Sequence, residues 1–133
     1  MNIELIIDNR EHKLINLLKP TTEILIEQLS LGDILFRKDG ETVLIIERKT
    51  TADLKASICD GRAREQKSRL LASGTPINRI MYLIEGSLDK PLTSELHNIS
   101  VSTLIGSLIN TQLRDNIKVY KTNSLEETAE FIR

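Results

Sequence analysis

The sequence predicts a single α/β domain with a central sheet flanked by helices, on three observations. Short apolar runs of β character alternate with stretches of helical period from one end of the 133-residue chain to the other. No internal repeat, polar linker or low-complexity segment divides them. The 40% hydrophobic and 28% charged fractions are those of a globular chain with one core, too apolar for disorder.

Taken in order, residues 2–7 read as a strand and residues 10–18 as a short helix carrying Leu14, Leu17 and Leu18, which Pro20 stops. Residues 23–27 make a further strand. Leu31 to Arg37 and Thr42 to Lys49 are β-like runs on either side of Lys38-Asp39-Gly40, a hairpin turn. Val43-Leu44-Ile45-Ile46 is apolar on both faces, which marks the second run as a central strand. Thr50 or Thr51 then caps a helix reaching about Cys59, with Gly61 fitting its C′ position, and a second helix runs from about Arg62 to Ala72. Arg79 to Glu85 reads as a buried strand, followed by a loop containing Pro91. Ser100 caps a helix from Val101 to Arg114 with Val101, Leu104, Ile105, Leu108, Ile109 and Leu113 on one stripe. Asp115-Asn116 breaks it, and Ile117 to Tyr120 is the last strand. Ser124 and Glu127 form a capping box that opens a final helix with Leu125, Thr128, Ala129 and Ile132 on one face. That helix meets no C-cap before Arg133, as expected of a piece of a longer protein.

Several classes are excluded. No apolar run approaches the roughly 20 residues of a membrane-spanning helix, so no membrane role is expected. The amino terminus lacks the basic n-region of a secretory signal. One cysteine, Cys59, provides neither an internal disulfide nor a thiolate metal cluster, so an intracellular site, nucleus or cytoplasm, is expected. His12 and His97 have no ligand spacing and read as surface residues. The net charge is -1, yet residues 48–69 hold seven Lys/Arg against three Asp/Glu, a polarised surface that a polyanion would meet. Arg62, Arg64, Lys67 and Arg69 fall on the expected second helix, either as a phosphate track or as a solvated face; Arg62 and Arg69 are seven apart and share a side.

The chemistry concentrates at Glu47-Arg48-Lys49. Side chains alternate along a strand, so Glu47 and Lys49 share one face and Arg48 takes the other. Charges that end a strand buried on both faces need a reason. Whether Asp33 meets Glu47 depends on the hairpin loop. A two-residue loop pairs Asp33 with Ile46 and turns it away; a three-residue loop, Lys38-Asp39-Gly40, pairs it with Ile45 and sets it diagonal to Glu47. Gly40 suits the left-handed position of the longer loop, so the three-residue loop with a bulge at Gly40 is expected. Two converging carboxylates beside a lysine make a hard-cation site suited to phosphodiester chemistry. Asp33 and Glu47 would hold Mg²⁺ or Mn²⁺, and Lys49 would orient the attacking water or stabilise the developing oxyanion. Asp53 also fits the first turn of a helix, where the macrodipole favours an acid.

Gly32-Asp33 followed by Ile46-Glu47-Arg48-Lys49-Thr50-Thr51-Ala52-Asp53-Leu54 resembles the G-D-x(n)-E-R-K-x-x-x-D signature of the XPF family of structure-specific endonucleases. Asp8-Asn9-Arg10-Glu11 is similar to that family's D-x-R-E, Asp60-Gly61-Arg62 with Gln66 to its G-R-x-x-x-Q, and Leu83-Ile84-Glu85 to its L-I-E strand. The resemblance implies a restriction-endonuclease-like fold and metal-dependent cleavage of one DNA strand at branched, flap or junction structures, in repair or recombination. It implies that Asp33 and Glu47 are the metal carboxylates, that Arg48 and Lys49 are the basic pair and that Asp53 is the closing acid. Asp8 and Arg10 would border the same cleft, and Gln66 would join Arg62 and Arg69 beside the substrate. Arg48, opposite in face to Lys49, is also suited to supporting the site through a buried ion pair. The family's tandem helix-hairpin-helix modules are absent from these 133 residues, so weak DNA affinity is expected of them alone. The family's dimerisation habit implies a homodimer or heterodimer through the helices at 101–114 and 125–133. A phosphodiesterase for small or cyclic nucleotides and a non-catalytic dimerisation scaffold are the alternative readings.

Overall fold

In the computed structural model, which describes residues 3–60, 67–70, 72–88, 90–97 and 99–132, a mixed sheet is built in the order β2-β1-β3-β4-β5-β8. Its strands are β1 (Ile3–Asp8), β2 (Leu25–Glu27), β3 (Ile34–Lys38), β4 (Glu41–Thr50), β5 (Ile80–Glu85) and β8 (Lys118–Thr122). β3 runs antiparallel to both β1 and β4, whereas β2 lies parallel to β1, β5 to β4 and β8 to β5. The parallel joins need crossovers, which helices α1 (His12–Leu18), α2 (Thr51–Asp60) and α3 (Val101–Leu113) supply, and helix α4 (Leu125–Ile132) follows β8.

Strand alternation divides the core into two layers. On one face Leu5, Ile7, Ile34, Ile46 and Leu83 pack with Leu14 and Leu18 of α1 and with Ala129 and Ile132 of α4. On the other, Ile45, Ile80, Tyr82 and Ile84 pack with Leu54 of α2, with Leu70 and with Leu104 and Leu108 of α3. β4 and β5 are thus apolar on both sides, and each fully buried aliphatic side chain contributes roughly 1.5–3 kcal/mol. No helix among the described residues is long and apolar enough to cross a membrane.

Helix starts follow the sequence. The Ser100 hydroxyl accepts from Thr103 N–H at 3.2 Å and opens α3; the Ser124 hydroxyl accepts from Glu127 N–H at 3.1 Å and opens α4. α1 begins two residues later than expected, with Glu11 at its cap position and no side-chain cap. The loop after β5 holds a small hairpin the sequence did not announce, β6 (Glu95–Leu96) with β7 (Ile99–Ser100). Strands of two residues have no periodicity to read. Of the expected 62–72 helix, residues 67–70 are helical; Arg62, Arg64 and Gln66 lie outside the described residues.

The β3–β4 hairpin corrects the expected loop. Lys38 pairs with Glu41 across a two-residue turn whose central residues, Asp39 and Gly40, both have positive φ (52° and 81°), the signature of a type I′ turn. The bulge sits further along, because Arg37 pairs with Thr42 but Phe36 pairs with Leu44, which leaves Val43 as the extra residue. That residue restores the parity the three-residue loop was expected to provide. Beyond it Leu35 faces Ile45 and Ile34 faces Ile46, so continuing the pairing by one step sets Asp33 opposite Glu47.

Candidate active site

Asp33 and Glu47 converge where β3 begins and β4 ends. Gly32 makes the approach possible: its φ is +75°, and a Cβ there would stand 2.5 Å from Ile45 Cγ2. Asp33 is fixed from three sides. Its N–H donates to Ile46 O at 2.9 Å, its carbonyl accepts from Asp8 N–H at 2.9 Å, and its Oδ2 accepts the Arg48 N–H at 2.7 Å. None of the described residues hydrogen-bonds the Glu47 carboxylate, which lies at the junction of two polar clefts of about 380 and 300 Å³.

The larger cleft is bordered by Asp8, Arg10, Glu11, Asp33, Glu47 and Arg69. The smaller one shares Glu11, Asp33 and Glu47 and adds Arg48, Lys49, Asp53 and Ser57. Lys49, 6% exposed, donates from Nζ to Ser57 Oγ at 3.2 Å, so its ammonium is held on the Glu47 side of the sheet. Asp53 and Thr50 cap α2 reciprocally: Asp53 N–H donates to Thr50 Oγ1 at 3.1 Å and Thr50 N–H to Asp53 Oδ2 at 3.4 Å. Asp53 therefore has both a capping role and a place in the cleft wall.

Arg48 points the other way. Its Nε and Nη2 grip Glu85 Oε1 and Oε2 at 3.0 and 2.7 Å, and Nη1 reaches Glu11 Oε2 at 2.9 Å. The guanidinium ties β4 to β5 and to the cap of α1 and holds Glu11 at the cleft, which is the supporting ion pair that its opposite face suggests. Asp8 is also an anchor, fully buried, accepting from Leu29 N–H at 2.8 Å and from Arg10 Nε at 2.6 Å. The Arg10 side chain nevertheless stays 73% exposed and forms, with Arg69, a basic rim to the acidic floor. Lys67 is instead paired with Asp115 at 3.0 Å.

Burial, then the charge of Asp33, push Glu47 up to about 7 against the pull of Lys49 and Arg69. Burial likewise raises Asp33, opposed by the Arg48 N–H and reinforced by the charge of Asp8. Burial raises Glu11 too, against Arg48. In Asp8 burial is outweighed by Arg10 and by the Leu29 and Arg10 N–H groups, and the carboxyl lies below its usual range. The floor of the cleft is thus short of positive charge at Asp33 and Glu47, which is the condition a divalent cation relieves. No group of three or more His, Cys, Asp or Glu among the described residues is arranged to hold a metal. Asp33 and Glu47 are hard oxygen donors of the kind that suits magnesium or manganese, and they would hold such an ion between them.

Glu11, Glu85 and Ser57 were not singled out as site residues by the sequence. Glu11 and Glu85 belong to the same motif stretches as Asp8 and Leu83-Ile84, and Glu85 ends a buried strand as Glu47 does, a signal that would have found it. Ser57 meets Lys49 only through the packing of α2.

The ERCC4 domain family matches residues 7–133. A probable crossover junction endonuclease mus81 of Dictyostelium discoideum is 33% identical over 156 residues, covering 98% of this chain and 17% of its own length. The structure-specific endonuclease subunit MUS81 of Homo sapiens is 41% identical over 97 residues, covering 70% of this chain and 16% of its own. This chain thus spans about a sixth of those curated relatives. Among solved structures, XPF from Aeropyrum pernix in complex with DNA superposes with a TM-score of 0.75 at 28% identity, over 98% of this chain and 62% of that one. The motif, the mixed sheet sandwiched by helices and these likenesses agree: the chain belongs to the ERCC4 domain family, with the nuclease-domain fold of XPF.

Proposed function

We propose that this chain is the catalytic domain of a structure-specific DNA endonuclease that uses Mg²⁺ or Mn²⁺ and acts on branched, flap or junction DNA in repair or recombination. The observation that carries it is the set of two facing carboxylates, Asp33 and Glu47, with the Lys49 ammonium on the same side of the sheet and arginines at the rim.

The cation, when bound by Asp33 and Glu47, supplies Lewis acidity toward the scissile phosphate and lowers the pKa of a coordinated water. Asp33 enters this role already oriented by the Arg48 N–H, so little ordering is left to the reaction. Lys49, held by Ser57, orients the attacking water or stabilises negative charge developing on the phosphoryl oxygens. Arg10 and Arg69 take the flanking phosphates. The products on this reading carry 5′-phosphate and 3′-hydroxyl ends.

The preference for two copies or a paralogous partner has its own support. Ile109 and Leu113 of α3 are 46% and 81% exposed, and Tyr120, 47% exposed, stacks on Phe131 of α4 at 4.3 Å. Tyr120 lies on β8, an edge strand of the sheet, and these exposed apolar side chains are the ones a homodimer or heterodimer would cover.

Cleavage of labelled flap, fork, three-way-junction, single-stranded and duplex DNA tests the proposal, with Asp33→Ala and Glu47→Ala beside the wild type. Metal-dependent nicking of branched DNA, reduced at least about 1,000-fold in both variants with folding intact, is the expected result. Cleavage persisting in both variants sinks the mechanism, and turnover of small nucleotides without DNA nicking reassigns the substrate.

A further inference from the structure

Thr128 and Thr122 are polar residues placed where the core is apolar. Both are completely buried, on α4 and β8, next to Ala129 and Ile132. A hydroxyl in such surroundings is tolerated when it is hydrogen-bonded. Thr128 Oγ1 donates to Glu85 Oε1 at 2.7 Å and lies 2.6 Å from Thr122 Oγ1. With the Thr128 hydrogen committed to Glu85, Thr122 is the donor of the second bond.

The same Glu85 carboxylate receives Arg48 Nε at 3.0 Å and Nη2 at 2.7 Å; Arg48 Nη1 holds Glu11 at 2.9 Å, and the Arg48 backbone N–H holds Asp33 at 2.7 Å. An unbroken series of short hydrogen bonds therefore runs from the inner face of the last helix to a cleft carboxylate. We propose that Thr128 is a positioning residue for the cleft carboxylates Glu11 and Asp33: its hydroxyl orients Glu85, Glu85 orients Arg48, and Arg48 sets both Glu11 and the amide that anchors Asp33. The inference rests on the reading of Asp33 and Glu47 as metal carboxylates. It begins on the helix that also presents Phe131 to the exposed apolar rim.

The variants are Thr128→Val, which keeps the shape and removes the hydroxyl, and Thr128→Ser, which keeps the hydroxyl. The first readout is hydrogen exchange of Arg48 Nε–H and backbone N–H by nuclear magnetic resonance in the metal-free 133-residue chain. In Thr128→Val both should exchange about 10-fold faster relative to the amides of Ile46 and Leu83, and in Thr128→Ser they should return to within about twofold of wild type. The second is calorimetric titration with Mn²⁺ alone, where Thr128→Val should bind about 5- to 20-fold more weakly and Thr128→Ser like wild type. A purely structural role would speed exchange at Ile46, Leu83 and Arg48 together. That pattern, unchanged Mn²⁺ binding in Thr128→Val, or a Ser variant as impaired as the Val variant overturns the proposal. If Thr128→Val does not fold, Thr128→Ala takes its place with the same expectations. A wild-type chain that binds no Mn²⁺ defeats the functional reading, while the exchange contrast at Arg48 still decides whether the series exists.

Discussion

Adjacent residues of one strand end face opposite electrostatic worlds. On the α2/α3 side of the sheet Glu47 has no hydrogen-bond donor among the described residues and shares its surroundings with a second half-buried carboxylate, Asp33. On the α1/α4 side Arg48 has both guanidinium edges engaged, with a carboxylate on each. On the first side Glu47 has no counter-charge hydrogen-bonded to it among the described residues, and on the second Arg48 supplies a counter-charge from within the chain. Two neighbouring letters of one motif therefore do different work, Glu47 toward the chemistry and Arg48 toward the frame that holds it.

Truncation separates the two most sharply. Arg48→Ala leaves Glu11 and Glu85 buried without their counter-charge and should lower stability by about 3–5 kcal/mol, whereas Glu47→Ala should leave the melting temperature near or above wild type while abolishing nicking. Thermal melts of both variants check this, and equal destabilisation would erase the distinction.

A smaller effect appears with pH. Glu47 holds its proton more tightly in the folded chain than in the unfolded one, where it titrates near 4.5, so its favourable contribution is complete below about 4.5 and is lost as pH rises to about 7. Glu47→Gln, which cannot ionise, should therefore be more stable than wild type at pH 8 in a chelator, by roughly 1–3 kcal/mol. The gap should close below pH 4.5, as denaturant titrations at the two pH values would show. A gap that widens on acidification would contradict the burial argument.

The smallest expected change is at the rim. Arg69→Gln should weaken DNA binding several-fold and reduce the slope of log affinity against log salt by about 0.9, with stability unchanged. A salt slope that does not move would remove Arg69 from the phosphate path.

Much of this was legible in the sequence because charge at the end of a doubly apolar strand is anomalous on its face, and Glu47, Arg48 and Lys49 form such an anomaly. Asp33 was legible only as a question of parity, and the answer came out right by a different route. Val43-Leu44-Ile45-Ile46 is apolar throughout, so neither face identifies itself as inward, and the pattern cannot locate a bulge within the run. The partners of Arg48 were illegible for another reason: Glu11 and Glu85 each lie 37 residues away along the chain, and only the assembled sheet brings them to one guanidinium. The basic residues were half legible, since Lys67 serves Asp115 while Arg69 reaches the cleft.

The bulge at Val43 has a meaning for how this hairpin tolerates change. Val43 carries no chemistry and is 37% exposed, and as the unpaired residue of the bulge it takes up the odd count between the turn and α2. A two-residue insertion at the Asp39-Gly40 tip preserves the strand's phase and lengthens an exposed arm. Removing the single residue Val43 leaves a regular two-residue hairpin in which Leu44 follows Thr42 directly, so that Ile45 still faces Leu35 and Glu47 still falls opposite Asp33. Spacing between the aspartate and the glutamate is thus able to absorb a single residue, because the bulge takes up an odd count that the pleat alone would turn into a change of face.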